Sequence, residues 1–180
     1  WREIQDKLIV PKNRLIELTK GSLTLGSLIV EPFSVSHDAA DPIGINVFAG
    51  NDKATIVTDT GVISDDILRR IDDTTLLVLE ANYDPHMLRF GPYQPFLKQR
   101  VASDEGHLSN EMAAQALLMM KRPDFMQVIL AHRSENNNNS VLVTQTIGKM
   151  LVDGGVRIGP EMKLQHGQPN EIVSIQSVKR

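Results

Sequence analysis

Apolar positions along this chain fall into short blocks whose period changes from block to block. Leu23, Leu25, Leu28, Val30, Phe33 and Val35 mark alternating and apolar stretches, which predict two short strands over 22–35 about a turn at Gly26. Ile43–Ala49 and 54–58 predict a second strand pair, joined by the turn-forming Gly50-Asn51-Asp52. Residues 64–71 carry apolar side chains at helical spacing behind Ser64, a natural N-cap. Residues 75–79 form a five-residue β-type run, apolar enough for a strand buried on both faces.

The stretch 84–104 is rich in proline, glycine and aromatic residues and reads as an insertion with short helical turns. The strongest helix pattern is 109–121, with cap candidates in Ser109-Asn-Glu-Met112 and then Ala113, Ala114, Ala116, Leu117 and Leu118. Met126–Ala131 predicts a strand, 141–152 a helix ended by Gly154-Gly155, and 171–178 a closing strand. Residues 1–8 read as the middle of an amphipathic helix entered without a cap. Strands alternating with helices imply an α/β (α+β) layered fold. There is no internal repeat and no internal boundary, so 1–180 is read as a single domain; the run Asn136–Asn139 is a polar loop.

Composition removes several classes of function. At 180 residues and a net charge of −3, bulk charge does not favour non-specific nucleic-acid binding, although a local basic groove is compatible with it. Cysteine is absent, so disulfides, thiolate metal sites and cysteine nucleophiles are excluded, and any metal must be held by histidine and carboxylate. No apolar run approaches the roughly 18 residues needed to cross a bilayer. No export signal is visible, so cytoplasmic residence and no membrane partner are expected.

The candidate chemistry sits where predicted strands end. One strand runs into His37-Asp38, one into Asp59, one into Glu80-Ala81-Asn82 and one into His132. Side chains at one end of a sheet converge on rigid supports, and two imidazoles with a carboxylate form a ligand set for Zn²⁺ or Mn²⁺. Each has an ordinary alternative: a solvated loop histidine, a turn cap at Asp59-Thr60-Gly61, and a helix-entry loop after His132. His107 precedes the strongest helix, where free amides and the positive end of the dipole suit a phosphate or oxyanion. A histidine there can donate to the anion or protonate a leaving group, or it is incidental to the cap. His86 and His166 read as surface residues, and Arg89, Lys98 and Arg100 as a solvated basic face.

Five segments occur in a fixed order: Phe33-Ser-Val-Ser-His37-Asp-Ala-Ala-Asp-Pro-Ile-Gly44, Thr58-Asp-Thr-Gly61, Leu79-Glu-Ala-Asn82, Gly106-His-Leu-Ser-Asn110 and Leu130-Ala-His132-Arg-Ser-Glu-Asn-Asn137. Together they resemble the metallo-β-lactamase superfamily, and within it the bacterial WalJ/YycJ branch, described as exonuclease-like. The resemblance runs from the N-terminus to about residue 150. It implies an αββα sandwich with two divalent metal ions (zinc or manganese, with iron also compatible) at one edge of the sheets. It implies His37 as a ligand of the first metal, Asp59 as the carboxylate bridging both, and His132 as a ligand of the second. It implies His107 and Asp59 as catalytic residues, His107 contacting the scissile phosphate and assisting the leaving group. The implied activity is phosphodiester hydrolysis by a metal-bound hydroxide, with nucleic acid or another phosphodiester as substrate. Hydrolysis of small esters, thioesters or lactones, or a metal-free scaffold, are the alternatives.

Two features depart from the family pattern. No His-x-His occurs in the sequence, whereas the superfamily's His-x-His-x-Asp-His loop lies upstream of the segment resembling 1–20. The chain is therefore expected to be the C-terminal two-thirds of a longer domain, and on its own to be poorly soluble or partly unfolded, and inactive. Tyr83 stands where relatives tend to carry histidine.

Overall fold

The computed structural model describes residues 21–175, together with Pro11, Ile16 and Leu18; the helix predicted over 1–8 lies outside them. Seven strands form one mixed sheet in sequence order: β1 (Leu23–Leu25), β2 (Leu28–Ser34), β3 (Ile43–Ala49), β4 (Asp52–Val57), β5 (Leu76–Glu80), β6 (Met126–Ala131) and β7 (Met162–His166). The first three pairings are antiparallel and the last three parallel. Hairpins at Gly26 (φ 61°) and Gly50 (φ 60°) require positive φ, which glycine adopts without a Cβ penalty.

Five helices complete the chain: α1 (Asp65–Ile71), α2 (Pro85–Phe90), α3 (Pro95–Val101), α4 (Asn110–Met119) and α5 (Ser140–Asp153). Hydroxyl caps start two of them as the sequence predicts. The Ser64 Oγ accepts from the Ile67 amide, and the Ser109 Oγ from the Met112 amide at 3.2 Å. The polar run before α5 does more than fill a loop. Asn139 caps that helix, and Asn138 is buried, its amide donating to the Ala81 carbonyl and to Asn110 Oδ1.

Period-two alternation decides which sheet face is packed. Register places Thr55, Leu77, Val128 and Leu164 in one row, and Val57, Leu79, Leu130 and His166 in the next. Leu77, Leu79, Val57 and Val128 are fully buried against Ile67 and Ile71 of α1, Ala113 and Leu117 of α4, and Ile147 and Leu151 of α5. Burying each such side chain is worth about 1.5–3 kcal/mol. The alternate row, Ile56, Val78 and Ile129, shares the other face and is exposed or half-buried. Leu76 and Val78 therefore depart from the two-sided burial expected of β5: no described helix covers their side.

The closing strand also differs from expectation. Residues 171–175 carry no strand and 176–178 lie outside the described residues; β7 instead completes the sheet by parallel pairing to β6. Its two apolar positions, Met162 and Leu164, are too few to announce a strand by alternation. His166, read from the sequence as a surface residue, ends β7 half-buried, with Nε2 2.9 Å from Thr144 Oγ1.

The topology gathers one edge. β2 lies antiparallel to β3 and β3 to β4, so β2 runs in the same direction as the parallel strands. The C-terminal ends of β2, β4, β5 and β6 therefore open on the same side, leading to His37, Asp59, Glu80 and His132.

Candidate metal centre

A fully buried acid stands at the middle of this edge. Glu80 closes β5, between β4 and β6, and both of its oxygens are used. Oε1 lies 2.7 Å from Nδ1 of His107 and 2.7 Å from Nδ1 of His132, while Oε2 accepts the Thr60 amide at 3.1 Å. Burial pushes this carboxyl up, but the hydrogen bonds from His107 and His132 outweigh it and hold its pKa below the usual glutamate range. The same bond, working against burial, holds His132 above the usual histidine value.

These contacts fix the proton positions. A carboxylate accepts only, so Nδ1 of His107 and of His132 carries the hydrogen, and Nε2 is left with its lone pair in the neutral ring. His37 is set in the same way by a different partner, its Nδ1 donating to the Gly106 carbonyl at 3.0 Å. The three rings stand in a row, His37 to His107 at 5.1 Å and His107 to His132 at 5.2 Å between centroids.

Asp59 faces the row. Its Oδ1 is 3.6 Å from Nε2 of His37 and 3.5 Å from Nε2 of His132, too long for hydrogen bonds. Ligand atoms bound at roughly 2.0–2.2 Å to one tetrahedral cation lie about 3.4 Å apart. Lone pairs and a carboxylate held that close with no hydrogen between them suit a shared cation. Ligand atoms of His37, Asp59 and His107 also lie within 4.8 Å of one another. The donor set thus fits divalent metal ions, with His37, Asp59 and His132 as the residues that could hold them.

Backbone shape aims two of these groups. Asp59 (φ 55°) and His132 (φ 51°) both adopt the left-handed conformation immediately beyond their strands. Such residues persist where the surroundings hold them, at a cost of order 1–3 kcal/mol. The loops are cross-tied: the Gly61 amide donates to the Ser36 carbonyl at 2.9 Å, and Asn82 Nδ2 to the His132 carbonyl at 2.8 Å.

A pocket of about 380 Å³ lies over the centre, walled by His37, His107, His132, Tyr93, Arg100 and Arg133 among others. Arg100 is paired with Asp38, whereas Nη1 of Arg133 is buried with no hydrogen-bond partner among the described residues. Two of the amides expected to be free before α4 are already used within the protein. The Asn110 amide is spent on the Tyr83 carbonyl and that of Met112 on Ser109, so His107 is placed by Glu80 and not by the helix end. Tyr83 itself is buried against Leu88 and Val101.

Comparison with known proteins places this edge in a family. A family model described as the beta-lactamase superfamily domain matches residues 2–132. The chain belongs to that superfamily. Exodeoxyribonuclease YycJ of Bacillus anthracis is 36% identical over 155 residues, covering 86% of this chain and 59% of the relative. Exodeoxyribonuclease WalJ of Streptococcus pneumoniae serotype 2 is 33% identical over 147 residues, covering 82% and 55%. This chain thus spans less than two thirds of either relative's length. Among solved structures, the metallo-β-lactamase fold protein YhfI of Bacillus subtilis superposes with a TM-score of 0.58 at 12% identity, covering 83% of this chain and 50% of that one. The metallo-β-lactamase fold and the α/β class expected from the sequence are borne out, and the fold implies divalent metal ions at the site.

The sequence brought His37, Asp59, His107 and His132 to one place, and the structure assembles all four. It missed Glu80 as the group that orders them. The available signal was an acid ending the apolar run Leu76-Leu-Val-Leu, a position where a charge must be paired to be buried.

Proposed function

We propose that the protein carrying this chain is a metal-dependent hydrolase of phosphodiester bonds that acts on nucleic-acid ends in the manner of an exonuclease. The observation that carries this reading is the fixed tautomer of three neighbouring imidazoles, two of which, His37 and His132, turn lone pairs and not hydrogens toward Asp59. Support comes from the two relatives named exodeoxyribonuclease. In this reading His37, Asp59 and His132 would hold the cations, with zinc, manganese or iron all suited to the ligands. Two such ions, when bound, neutralise charge on phosphate oxygens and lower the pKa of water.

The chain's own residues do the rest. Asp59 presents one oxygen to both the His37 and the His132 imidazole. Glu80 holds the His107 ring at Nδ1, which leaves Nε2 free to take up a proton released by the attacking water and pass it to the leaving oxygen, with Glu80 supplying the counter-charge. Tyr93 and Leu97 close one wall of the pocket. We further propose that 1–180 is part of one domain whose remainder covers the apolar face bearing Ile56, Val78 and Ile129, and that the protein works in the cytoplasm.

The test is metal analysis and paired assays on the complete protein. Turnover of a single-stranded oligonucleotide, with bound metal lost in Asp59→Ala, is the expected result. His107→Ala should lower kcat while leaving metal content near the parent value. A protein that hydrolyses a thioester or lactone but no phosphodiester, or that purifies metal-free and inactive, overturns the proposal.

A further inference from the structure

The segment between β5 and α4 contains a surface that the metal centre does not use. From Pro85 to Val101 there is no acidic residue, yet there are three basic ones, Arg89, Lys98 and Arg100, in a chain whose net charge is −3. Two of the chain's five phenylalanines are also here. Phe90, closing α2, is 67% exposed and Phe96, near the start of α3, is 71% exposed. The other three, Phe33, Phe48 and Phe125, are buried or half-buried.

Exposure of both rings follows from how the two helices pack. Leu88 of α2 and Leu97 and Val101 of α3 turn inward onto Tyr83 and Tyr93, forming a small core. Phe90 and Phe96 are excluded from it. Lys98 Nζ donates to the Arg89 carbonyl at 2.8 Å, tying the end of α2 to α3. The Arg89 guanidinium lies 5.3 Å from the Phe90 ring centre and the His86 ring 4.6 Å from it. Neither Arg89 nor Lys98 has an ion-pair partner among the described residues; Arg100 is paired with Asp38.

Location gives this face its meaning. Tyr93, Leu97, Arg100 and Val101 line the pocket that holds His37, His107 and His132, so α3 forms one wall of it, and Phe96 directly precedes the wall residue Leu97. A chain that reaches the metal centre over this wall meets two aromatic faces and two unpaired cations. Flat rings with interleaved positive charge match unstacked bases on a phosphate backbone. A duplex presents no free base faces on which such rings could stack. We infer that the exposed face of α2 and α3 is a stacking platform for single-stranded nucleic acid, on which Phe90 and Phe96 each take a base and Arg89 and Lys98 follow the phosphates. This deepens the proposed function, since it names an unpaired strand as what the site receives.

Binding, measured without metal, tests the platform independently of catalysis. The complete protein in a chelator is titrated into a fluorescein-labelled 12-nucleotide single strand and into the matching duplex, over a range of salt. Phe90→Ala and Phe96→Ala should each weaken single-strand binding about tenfold and leave duplex binding unchanged. Phe96→Trp should restore it, and Arg89→Gln should reduce the log–log salt slope by about 0.7. Thermal melts of each variant should match the parent, because both rings are on the surface. Unchanged single-strand affinity in both alanine variants overturns the platform, as does equal loss on duplex. A change of oligomeric state, or loss of binding to anionic vesicles with no loss on the oligonucleotide, also overturns it. Strand binding without cleavage after metal is added would refute the hydrolase and leave the platform standing; cleavage with no effect of either phenylalanine would do the reverse.

Discussion

Replacing Glu80 by glutamine should damage the site far more than its nearly unchanged shape suggests. The carboxylate accepts three hydrogen bonds while fully buried: two from imidazole Nδ1 atoms at 2.7 Å and one from the Thr60 amide at 3.1 Å. An amide side chain has one acceptor oxygen and one donor nitrogen. If its oxygen serves the imidazoles, its NH2 faces the Thr60 amide, donor against donor. If its nitrogen takes the imidazole side, His107 and His132 lose their acceptor and must move the proton to Nε2, which removes the lone pair aimed at Asp59. Hydrogen bonds to a charged group are worth about 1.5–3 kcal/mol each, and the variant loses one to two of them, so a stability loss of about 2–5 kcal/mol is expected. Metal affinity should fall about 10- to 100-fold, the usual effect of removing an outer partner of a ligating histidine. Chemical denaturation of the metal-free protein gives the first quantity and chelator competition the second; ¹⁵N shifts of the imidazoles report the tautomer. Parent-like stability together with parent-like metal affinity would refute the assignment of Glu80 as the group that orders the rings.

Three further outcomes follow from the same contacts. In Gly106→Ala the new Cβ would meet the Arg100 carbonyl at 2.2 Å and the Val101 carbonyl at 2.4 Å, displacing the backbone that anchors His37 and precedes His107. A melt lowered by several degrees with weaker metal binding is expected, and a neutral variant would show that the loop yields freely. Metal-free stability should also depend on pH with two limbs. Glu80, held below its ordinary 4.5, contributes stability above that value that is lost as pH falls through its lower folded pKa. His132, held above its ordinary 6.5, contributes below that value and loses the contribution as pH rises through its higher folded pKa. Denaturation curves between pH 3 and 9 should fall off on both sides, and Glu80→Gln should flatten both limbs; limbs retained in that variant would assign them to other groups. Finally, Arg133→Met should stabilise the free protein by on the order of 1 kcal/mol, since a partly buried guanidinium whose Nη1 has no hydrogen-bond partner among the described residues is removed. The same change should weaken oligonucleotide binding, and destabilisation would mean that the guanidinium is paired in solution.

Much of the fold could be read along the chain because its signals are local. Ser64 and Ser109 announce their helices by a hydroxyl three residues ahead of the amide it caps, and Gly26 and Gly50 announce hairpins by tolerating positive φ. Where pairing is non-local, the pattern fails. β7 has too little apolar content to stand out, and its existence depends on β6 offering a parallel edge. Leu76 and Val78 look like Leu77 and Leu79 in sequence, yet only the second pair is fully buried; which face of a strand is covered is a property of the layers around it. Asn138 misleads in the opposite sense, since a polar run reads as solvated until Ala81 and Asn110 are seen to accept its hydrogens.

The site divides along the same line. Histidine and aspartate just beyond apolar strands can be listed from the sequence, and the parallel direction of β4 and β6 makes their convergence follow from topology alone. What cannot be listed is how they are held. Asp59 and His132 leave strands on either side of β5 in the same left-handed turn, and Glu80 ends the strand between them. Strand alternation turns Glu80 to the face opposite Leu79, but Leu77 and Leu79 anchor β5 in the core and so fix the backbone carrying the charge that sets two imidazole tautomers. The donors are therefore ordered before any cation arrives. A loop histidine without such an anchor would lose rotamer freedom on binding and hold metal more weakly. Glu80 thus converts burial, the same force that makes the sheet, into the geometry of the metal centre.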